Sequence, residues 1–269
     1  MKIRSIIIIL ACLFLFSPAT QAAENKKKES GKRWQEIKDY TKGILQSAAA
    51  GVEYRVKAGI AIGGTTPLPP PPEIQSIKGF NPLLNISLEA EILKSFSKQW
   101  GMSFGIKLDT KGMKTDAEVK NYSMSMISAD GAVSGVWYGS VETTVSNSYL
   151  TIPLLAVWKP TERWNFKLGP YFSYLYNGHF SGSAYDGYLR EGSPIGEKIE
   201  IDRAMYDFSK DLRKTNWGVQ LGTEWRAFPH LLVGLDLTWG LNSIFKKDFE
   251  VITFDMYPVF LSLTFGYAF

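Results

Sequence analysis

The chain has 269 residues, of which 45% are hydrophobic and 14% aromatic, with a formal net charge of +4 and one cysteine. The hydrophobic fraction excludes a disordered chain, and a single cysteine excludes a disulfide framework or a cysteine-rich zinc site. The small charge gives no reason to expect a nucleic-acid partner. The aromatic content is high for a mean hydropathy close to zero.

Residues 1–23 have the pattern of a secretory signal peptide. A basic start at Lys2 and Arg4 precedes an apolar run to Phe16, and small residues at cleavage spacing follow through Ala23. The run is too short for a spanning helix. A lipoprotein signal at Cys12 is the alternative, although the apolar run continues past this cysteine. Cleavage near Ala23 removes the thiol, so no cysteine chemistry is expected.

Residues 24–51 are polar and then weakly amphipathic. Trp34, Ile37 and Ile44 fall on one helical stripe, and Gly51 is a natural helix stop. We predict a short N-terminal periplasmic helix that rests at a membrane interface, caps the following domain or acts as a solvated tether.

Apolar residues alternate with polar ones from residue 52 to the C-terminus, which predicts β-strands. No later run of 18 apolar residues offers a spanning helix. Eight apolar rows begin at Tyr54, Leu84, Met102, Leu150, Phe166, Trp217, Leu231 and Val259.

The connections between these rows alternate between short and long. Aromatic residues collect near the strand ends, as the two interfacial girdles of a membrane barrel require. A soluble sandwich is the alternative for the alternation alone. We therefore predict an all-β fold, a transmembrane antiparallel up-and-down β-barrel of about eight strands over residues 52–269. The short connections are 94–99, 159–163 and 227–230, and the long ones are 63–80, 110–148, 177–214 and 242–258. The girdle residues are Tyr54, Trp100, Trp158, Trp164, Trp225, Tyr267 and Phe269 near the short turns, and Tyr149, Tyr176, Trp217, Trp239 and Tyr257 near the long loops.

The second long loop keeps the strand period from Val133 to Thr143, and Asp130-Gly131 is a hairpin signal. The flanking strands are expected to project beyond the bilayer as a ribbon. A count of ten strands stays open if this ribbon or the third long loop joins the barrel.

Charged residues lie opposite the apolar rows. An Arg or Lys facing lipid at the midplane costs about 2–4 kcal/mol, so these side chains should point into the lumen. Side chains fill the interior of an eight-stranded barrel, and balanced charges would pair there, which favours an ionic core over a selectivity filter. The predicted lumen charges are Arg55, Lys57, Glu89, Glu91, Lys107, Asp109, Lys167, Glu224, Arg226 and Asp236.

The proline run 67–72 lies in the first long loop. Missing N–H groups prevent strand pairing, and the ring torsions favour a stiff polyproline II arm. A rigid loop is the simpler interpretation, and docking of a surface partner with an aromatic groove is the alternative.

The chain ends on Phe269, with Phe265 and Tyr267 in the same phase. This looks like the C-terminal assembly signature of bacterial outer-membrane barrels and implies insertion by the barrel-assembly machinery into outer-membrane lipid. With the first strand also starting at a short-turn end, both termini are expected in the periplasm.

The domain also resembles the porin-like, PorT-type outer-membrane β-barrel family of Bacteroidota. The matching segments are 59–64, 149–154 and 168–171, among which Ile152-Pro153-Leu154 is the most family-like. The resemblance implies fold and location, and it implies no activity.

One enzymatic alternative rests on His179 and Ser181, which resemble the His-x-Ser of outer-membrane lipid A deacylases. The resemblance implies a histidine base, a serine nucleophile and, here, Glu191 as the orienting acid. Gly182-Ser183 depart from the Asn-Ala of that family. The sequence carries no metal-ligand cluster or phosphate loop, so no cofactor is expected.

The sequence thus predicts a non-enzymatic integral outer-membrane barrel. Its expected role is structural, small-solute passage or surface binding, with a lumen largely filled by side chains. A lipid A-modifying rim enzyme and an accessory barrel of a protein export complex are the alternatives.

Overall fold

The computed structural model describes Lys38 and residues 51–128, 131–249, 251–252 and 254–269. The predicted signal peptide, the predicted N-terminal helix apart from Lys38, and Asp130 of the predicted hairpin turn lie outside the described residues. Among the described residues, no helix is long and apolar enough to cross a bilayer.

Within the described parts of the chain, ten antiparallel strands form one sheet, and a short 3-10 helix covers Ser209–Asp211. Eight strands close a ring in which the first and last lie side by side, from Arg55 opposite Ala268 to Pro67 opposite Met256. The strands are β1 Val52–Pro67, β2 Ile74–Asn81, β3 Asn85–Ser95, β4 Trp100–Ser128, β5 Gly131–Trp158, β6 Trp164–Glu191, β7 Lys198–Asp207, β8 Thr215–Arg226, β9 Leu231–Gly240 and β10 Met256–Ala268. The ring order is β1, β3, β4, β5, β6, β8, β9 and β10.

This ring confirms the predicted all-β barrel of eight strands with alternating short and long connections. The two further strands do not enlarge it. Instead, β2 pairs with β4 beyond the ring, and β7 pairs with the far part of β6.

The barrel strands bury their polar face and expose their apolar face. In β3, Glu89 and Glu91 are buried, whereas Ile86, Leu88 and Ile92 are exposed. A soluble sandwich would show the reverse pattern. Because exposed apolar rows on every ring strand need an apolar solvent, the exterior is suited to lipid.

Beyond the ring, β4, β5 and β6 continue into a second region, which we call the extension. It consists of β2, β7 and residues 113–128, 131–146 and 178–191, and β7 closes towards β4 through the pair Ile127 and Met205. Its interior is apolar and includes the fully buried Trp137, with Val145, Phe180 and Leu189. The interior therefore changes from polar to apolar along the same strands.

Aromatic rings form a belt at the short-turn end. Ring centroids lie 6.5 Å apart for Trp100 and Trp158, and 6.4 Å apart for Trp164 and Trp225. Exposed Trp217 and Trp239 lie near the opposite end. The expectation for Tyr149 was wrong: this residue is 2% exposed, because it points into the barrel, where the Lys111 ammonium lies 5.3 Å from its ring.

Candidate functional site

The centre of the barrel lumen is organised by Glu91 of β3. Lys167 Nζ donates to its two carboxylate oxygens at 2.9 and 3.0 Å, and Lys57 also pairs with it. Arg55 Nη1 lies 3.6 Å from Glu91 Oε1. One buried carboxylate thus contacts cations from β1 and from β6.

A second carboxylate, Glu224 of β8, completes the cluster. It accepts hydrogen bonds from Arg55 Nη1 at 2.6 Å, Lys167 Nζ at 2.7 Å and Asn165 Nδ2 at 2.8 Å. Arg55 and Lys167 each contact both carboxylates, so four strands are linked across the lumen. We call Arg55, Lys57, Glu91, Lys167 and Glu224 the lumen network.

At the barrel mouth beside the short turns, Glu53 and Arg226 form a further ion pair. Glu53 accepts from Arg55 Nε at 2.5 Å and from Arg226 Nη2 at 2.7 Å. The Arg226 side chain is half-buried at the mouth, and Glu53 connects it to the lumen network.

The other end of the lumen carries a smaller polar set. Asp109 accepts from Thr151 Oγ1 at 2.7 Å and lies 3.6 Å from Lys111 Nζ. The Lys111 ammonium also lies 5.0 Å from the Tyr171 ring and 6.0 Å from the Phe260 ring, in cation–π range. These rings form the boundary between the polar lumen and the apolar core of the extension.

The structure buries nine of the ten sequence-predicted lumen charges, and it leaves Arg226 half-buried. Lys57 pairs with Glu89 at 3.1 Å, Lys107 lies opposite Glu89 in the register, and Asp236 accepts from Gln220 at 3.2 Å. Sequence reasoning missed Glu53 and Lys111. Lys111 has the same phase as Asp109, so ending the strand later would have found it.

On the extension, His179 and Ser181 are neighbours, with His179 Nε2 2.8 Å from Ser181 Oγ. His179 Nδ1 lies 3.3 Å from Ser209 Oγ. Glu191, the proposed acid, is twelve residues further along β6, on the order of 40 Å at strand rise. The structure therefore does not bring the acid to the histidine.

Asp207 lies near this pair. Hydrogen bonds from Ser209, including its amide at 2.8 Å, lower the pKa of the Asp207 carboxyl from its ordinary value. Among the described residues, no cluster of three or more His, Cys, Asp or Glu side chains could hold a metal ion.

The sequence-predicted assembly residues lie together on the outer face. Phe265, Tyr267 and Phe269 are all exposed, and the Phe269 amide donates to Tyr54 O at 2.9 Å.

The prolines of the run 67–72 differ in secondary structure and exposure. The expectation that it avoids strand pairing was wrong for Pro67, which ends β1 opposite Met256, because a terminal proline sacrifices at most one ladder hydrogen bond. The prolines at 69, 70 and 72 are outside the strands, and all three are exposed.

A closed antiparallel barrel with an apolar exterior and an ionic interior defines an integral membrane barrel protein. The family model for the outer membrane protein beta-barrel domain matches residues 44–246, and the chain belongs to this family. It is therefore an outer-membrane β-barrel protein with transmembrane strands.

Several solved structures share weak similarity with the chain. Ail of Yersinia pestis, in complex with the heparin analogue sucrose octasulfate, has 12% identity and a TM-score of 0.36, covering 81% of this chain and 99% of that chain. Neisserial surface protein A has 10% identity and a TM-score of 0.30, covering 82% and 98%. The translocator domain of the autotransporter NalP from Neisseria meningitidis has 10% identity and a TM-score of 0.24, covering 92% and 100%. Similarity at this level says nothing about ligands or activity. A search of curated proteins finds no match.

Proposed function

We propose that this protein is a closed outer-membrane barrel that anchors the extension at the cell surface, with a structural or surface-binding role. The observation that carries this proposal is the lumen network, in which Arg55 and Lys167 each bridge two buried carboxylates. Moving any of these charges to admit ions would remove a buried partner from at least one opposite charge, which is costly.

The orientation is part of the same proposal. The short turns and both barrel termini lie at one end, which we assign to the periplasm, and the extension then faces the outside. Residues 1–23 act as the export signal, and Phe265, Tyr267 and Phe269 act as the signal for the barrel-assembly machinery. The PorT-type resemblance is retained as the proposed subfamily, and the exposed prolines of the 67–72 run are the proposed contact for a surface partner.

Planar-bilayer recording tests the closed lumen. Refolded protein should insert, as judged by heat-modifiable gel mobility and protease protection, and should give no single-channel steps. Reproducible conductance steps from inserted protein would contradict the closed barrel and favour small-solute passage.

The distance of 2.8 Å between His179 Nε2 and Ser181 Oγ favours one second candidate, a lipid A-modifying hydrolase. In this reaction the histidine would take the serine proton as the serine attacks an acyl ester, and it would give that proton to the alcohol that leaves as the ester C–O bond breaks. Water would then hydrolyse the acyl-serine and release the fatty acid. Mass spectrometry of lipid A from cells carrying wild type, His179→Ala or the turn variant His230→Ala distinguishes the two functions. The closed-barrel proposal expects identical profiles, whereas a change confined to His179→Ala would favour the hydrolase.

A further inference from the structure

The barrel wall has a lateral gap where the ring meets the extension. β3 begins at Asn85 and pairs with β1 only as far as Ala61, but β1 continues to Pro67. Among the described residues, this last part of β1 is paired on one side, with β10, and β2 is paired on one side, with β4. The amide of Thr65 is buried and donates to Met113 Sδ at 3.2 Å, where a sheet would supply a carbonyl.

A cavity of about 320 Å³ lies at this gap. Small side chains line part of it: β1 contributes Gly64 and Thr65, and β4 contributes Thr115 and Ala117 on one face. Larger apolar side chains, among them Phe80 and Phe180, line the rest. A Cβ at Gly64 would already lie 2.8 Å from Met113 Sδ. The volume falls at the lower end of ligand pockets, and since a cavity of about 150 Å³ holds benzene, it suits on the order of a dozen carbon atoms.

The cavity wall is continuous with the apolar outer surface. Ile77 and Phe80 line the cavity and are nevertheless 68% and 52% exposed, and Leu84, 82% exposed, follows them on the way to the lipid-facing row of β3. An apolar path therefore leads from the lipid-facing surface to the gap. This continuity indicates an alkyl chain as the occupant.

A polar feature lies beside the cavity. Within the described part of the chain, Glu73 Oε2 is buried and has no hydrogen-bond partner. Glu73 directly precedes Ile74, which lines the cavity, and its carbonyl accepts from the Lys120 amide of β4 at 2.8 Å. Burial, and next the charge of Glu73, raise the pKa of Tyr122, which also lines the cavity. A buried acceptor without a donor is rare and costly, and a head group that donates a hydrogen bond would satisfy it.

We propose that this gap is a binding site for a single alkyl chain of about twelve carbons whose neutral or cationic head group donates a hydrogen bond to Glu73. The chain enters sideways between β1 and β2 and packs against Ile77, Phe80 and Met113. The source is either an acyl chain of a bilayer lipid or a free alkyl amphiphile. The site does not depend on whether the barrel lumen is closed.

Photolabelling in phosphatidylcholine vesicles tests this site. Full-length protein is exposed to dodecylamine bearing a terminal diazirine, and labelled peptides are identified by mass spectrometry. Labelling is expected on the segments 74–80 and 113–122, with competition by unlabelled dodecylamine. Ala117→Trp, which fills the cavity, should reduce this labelling at least tenfold, whereas Ser134→Trp on the exposed surface of β5 should leave it unchanged.

Two further arms define the result. If Ala117→Trp does not give a folded, heat-modifiable barrel, Ala117→Leu fills the cavity less drastically. A phosphatidylethanolamine carrying the same diazirine on its acyl chain, whose ammonium can donate to Glu73, identifies a bilayer source if its labelling also falls in the filled variant, and a free amphiphile if it does not. Labelling that is absent, or equal in the wild type and the filled variants, overturns the site.

The head-group assignment has its own control. Dodecanoate with the same diazirine should label the wild type about tenfold less than the amine, because its charge repels Glu73. In Glu73→Gln this difference should disappear. Equal labelling by the amine and the carboxylate in the wild type would overturn the role of Glu73.

Discussion

The residues that fill the barrel are those that a soluble core excludes. Glu91 is buried among Arg55, Lys57 and Lys167, and the last of these is shared with Glu224. Each charge is tolerated because its neighbours supply the opposite charge and a hydrogen bond. The arrangement contributes specificity for one packing of the lumen, since a shifted strand register would separate the partners.

We expect Glu91→Ala to destabilise the barrel by about 3–5 kcal/mol, because three buried cations lose a shared partner. The measurement is the free energy of unfolding by urea in lipid vesicles. The control is Glu200→Ala, which removes the exposed partner of Lys198 and should cause no measurable change. An equal, small effect of both substitutions would show that the lumen network does not stabilise the fold.

At the scale of single elements, β4 lies partly in the membrane barrel and partly in the extension, and its inward side chains differ between the two parts. Its ring part exposes Phe104, Ile106 and Leu108 while burying Lys107 and Asp109. Beyond Lys111 its inward side chains become apolar, starting with Met113, because the extension lies outside the barrel and encloses a core of its own. The change occurs within one strand, and β5 and β6 follow it in register.

Substitution of Trp137 tests whether the extension is stabilised by its own apolar core. It is 0% exposed, so Trp137→Ala should destabilise the extension by about 3–5 kcal/mol and leave the barrel folded. Hydrogen exchange along 134–145, compared with the ring strands, measures this. Exposed Ile195→Ala is the control and should change nothing.

A second substitution at the same site isolates the indole N–H. Among the described residues, Trp137 Nε1 has no hydrogen-bond partner, so Trp137→Phe removes a buried unpaired donor together with some packing. We expect a much smaller loss of exchange protection than for Trp137→Ala. Equal losses would indicate that the indole makes a specific polar contact.

The extension is also where sequence reasoning was least complete. The alternation of Val133 to Thr143 predicted a projecting ribbon, and a further strand in the third long loop, where β7 lies, was left open, whereas β2 was not predicted. Both are short strands rich in polar residues, and they are held by pairing with β4 and β6. β7 alternates locally, with Ile199 and Ile201 between charged residues, but this run is too short and polar to stand out as a barrel strand. β2 pairs with β4 through two register shifts and has no regular alternation, so it was treated as loop.

At the scale of the whole molecule, the bilayer decides which face is outside. Ile106 is exposed in the middle of the lipid-facing row of β4. We expect Ile106→Arg to destabilise the protein in vesicles by about 2–4 kcal/mol, as measured by denaturant unfolding. Ile195→Arg, in an exposed connection outside the barrel strands, should have no such effect. Equal stability of Ile106→Arg and the wild type would place this face outside the hydrocarbon.

The sequence by itself determined the class of fold, the phase of the eight barrel strands and most of the lumen charges. Strand alternation is local, and a charge opposite an apolar row has only the lumen to enter. Tertiary structure alone decided which charges pair, where the lumen ends at Lys111, that the two extra strands lie beyond the ring, and that a gap exists between β1 and β2. Those features depend on which distant residues meet when the ring closes, and side-chain period alone does not encode this.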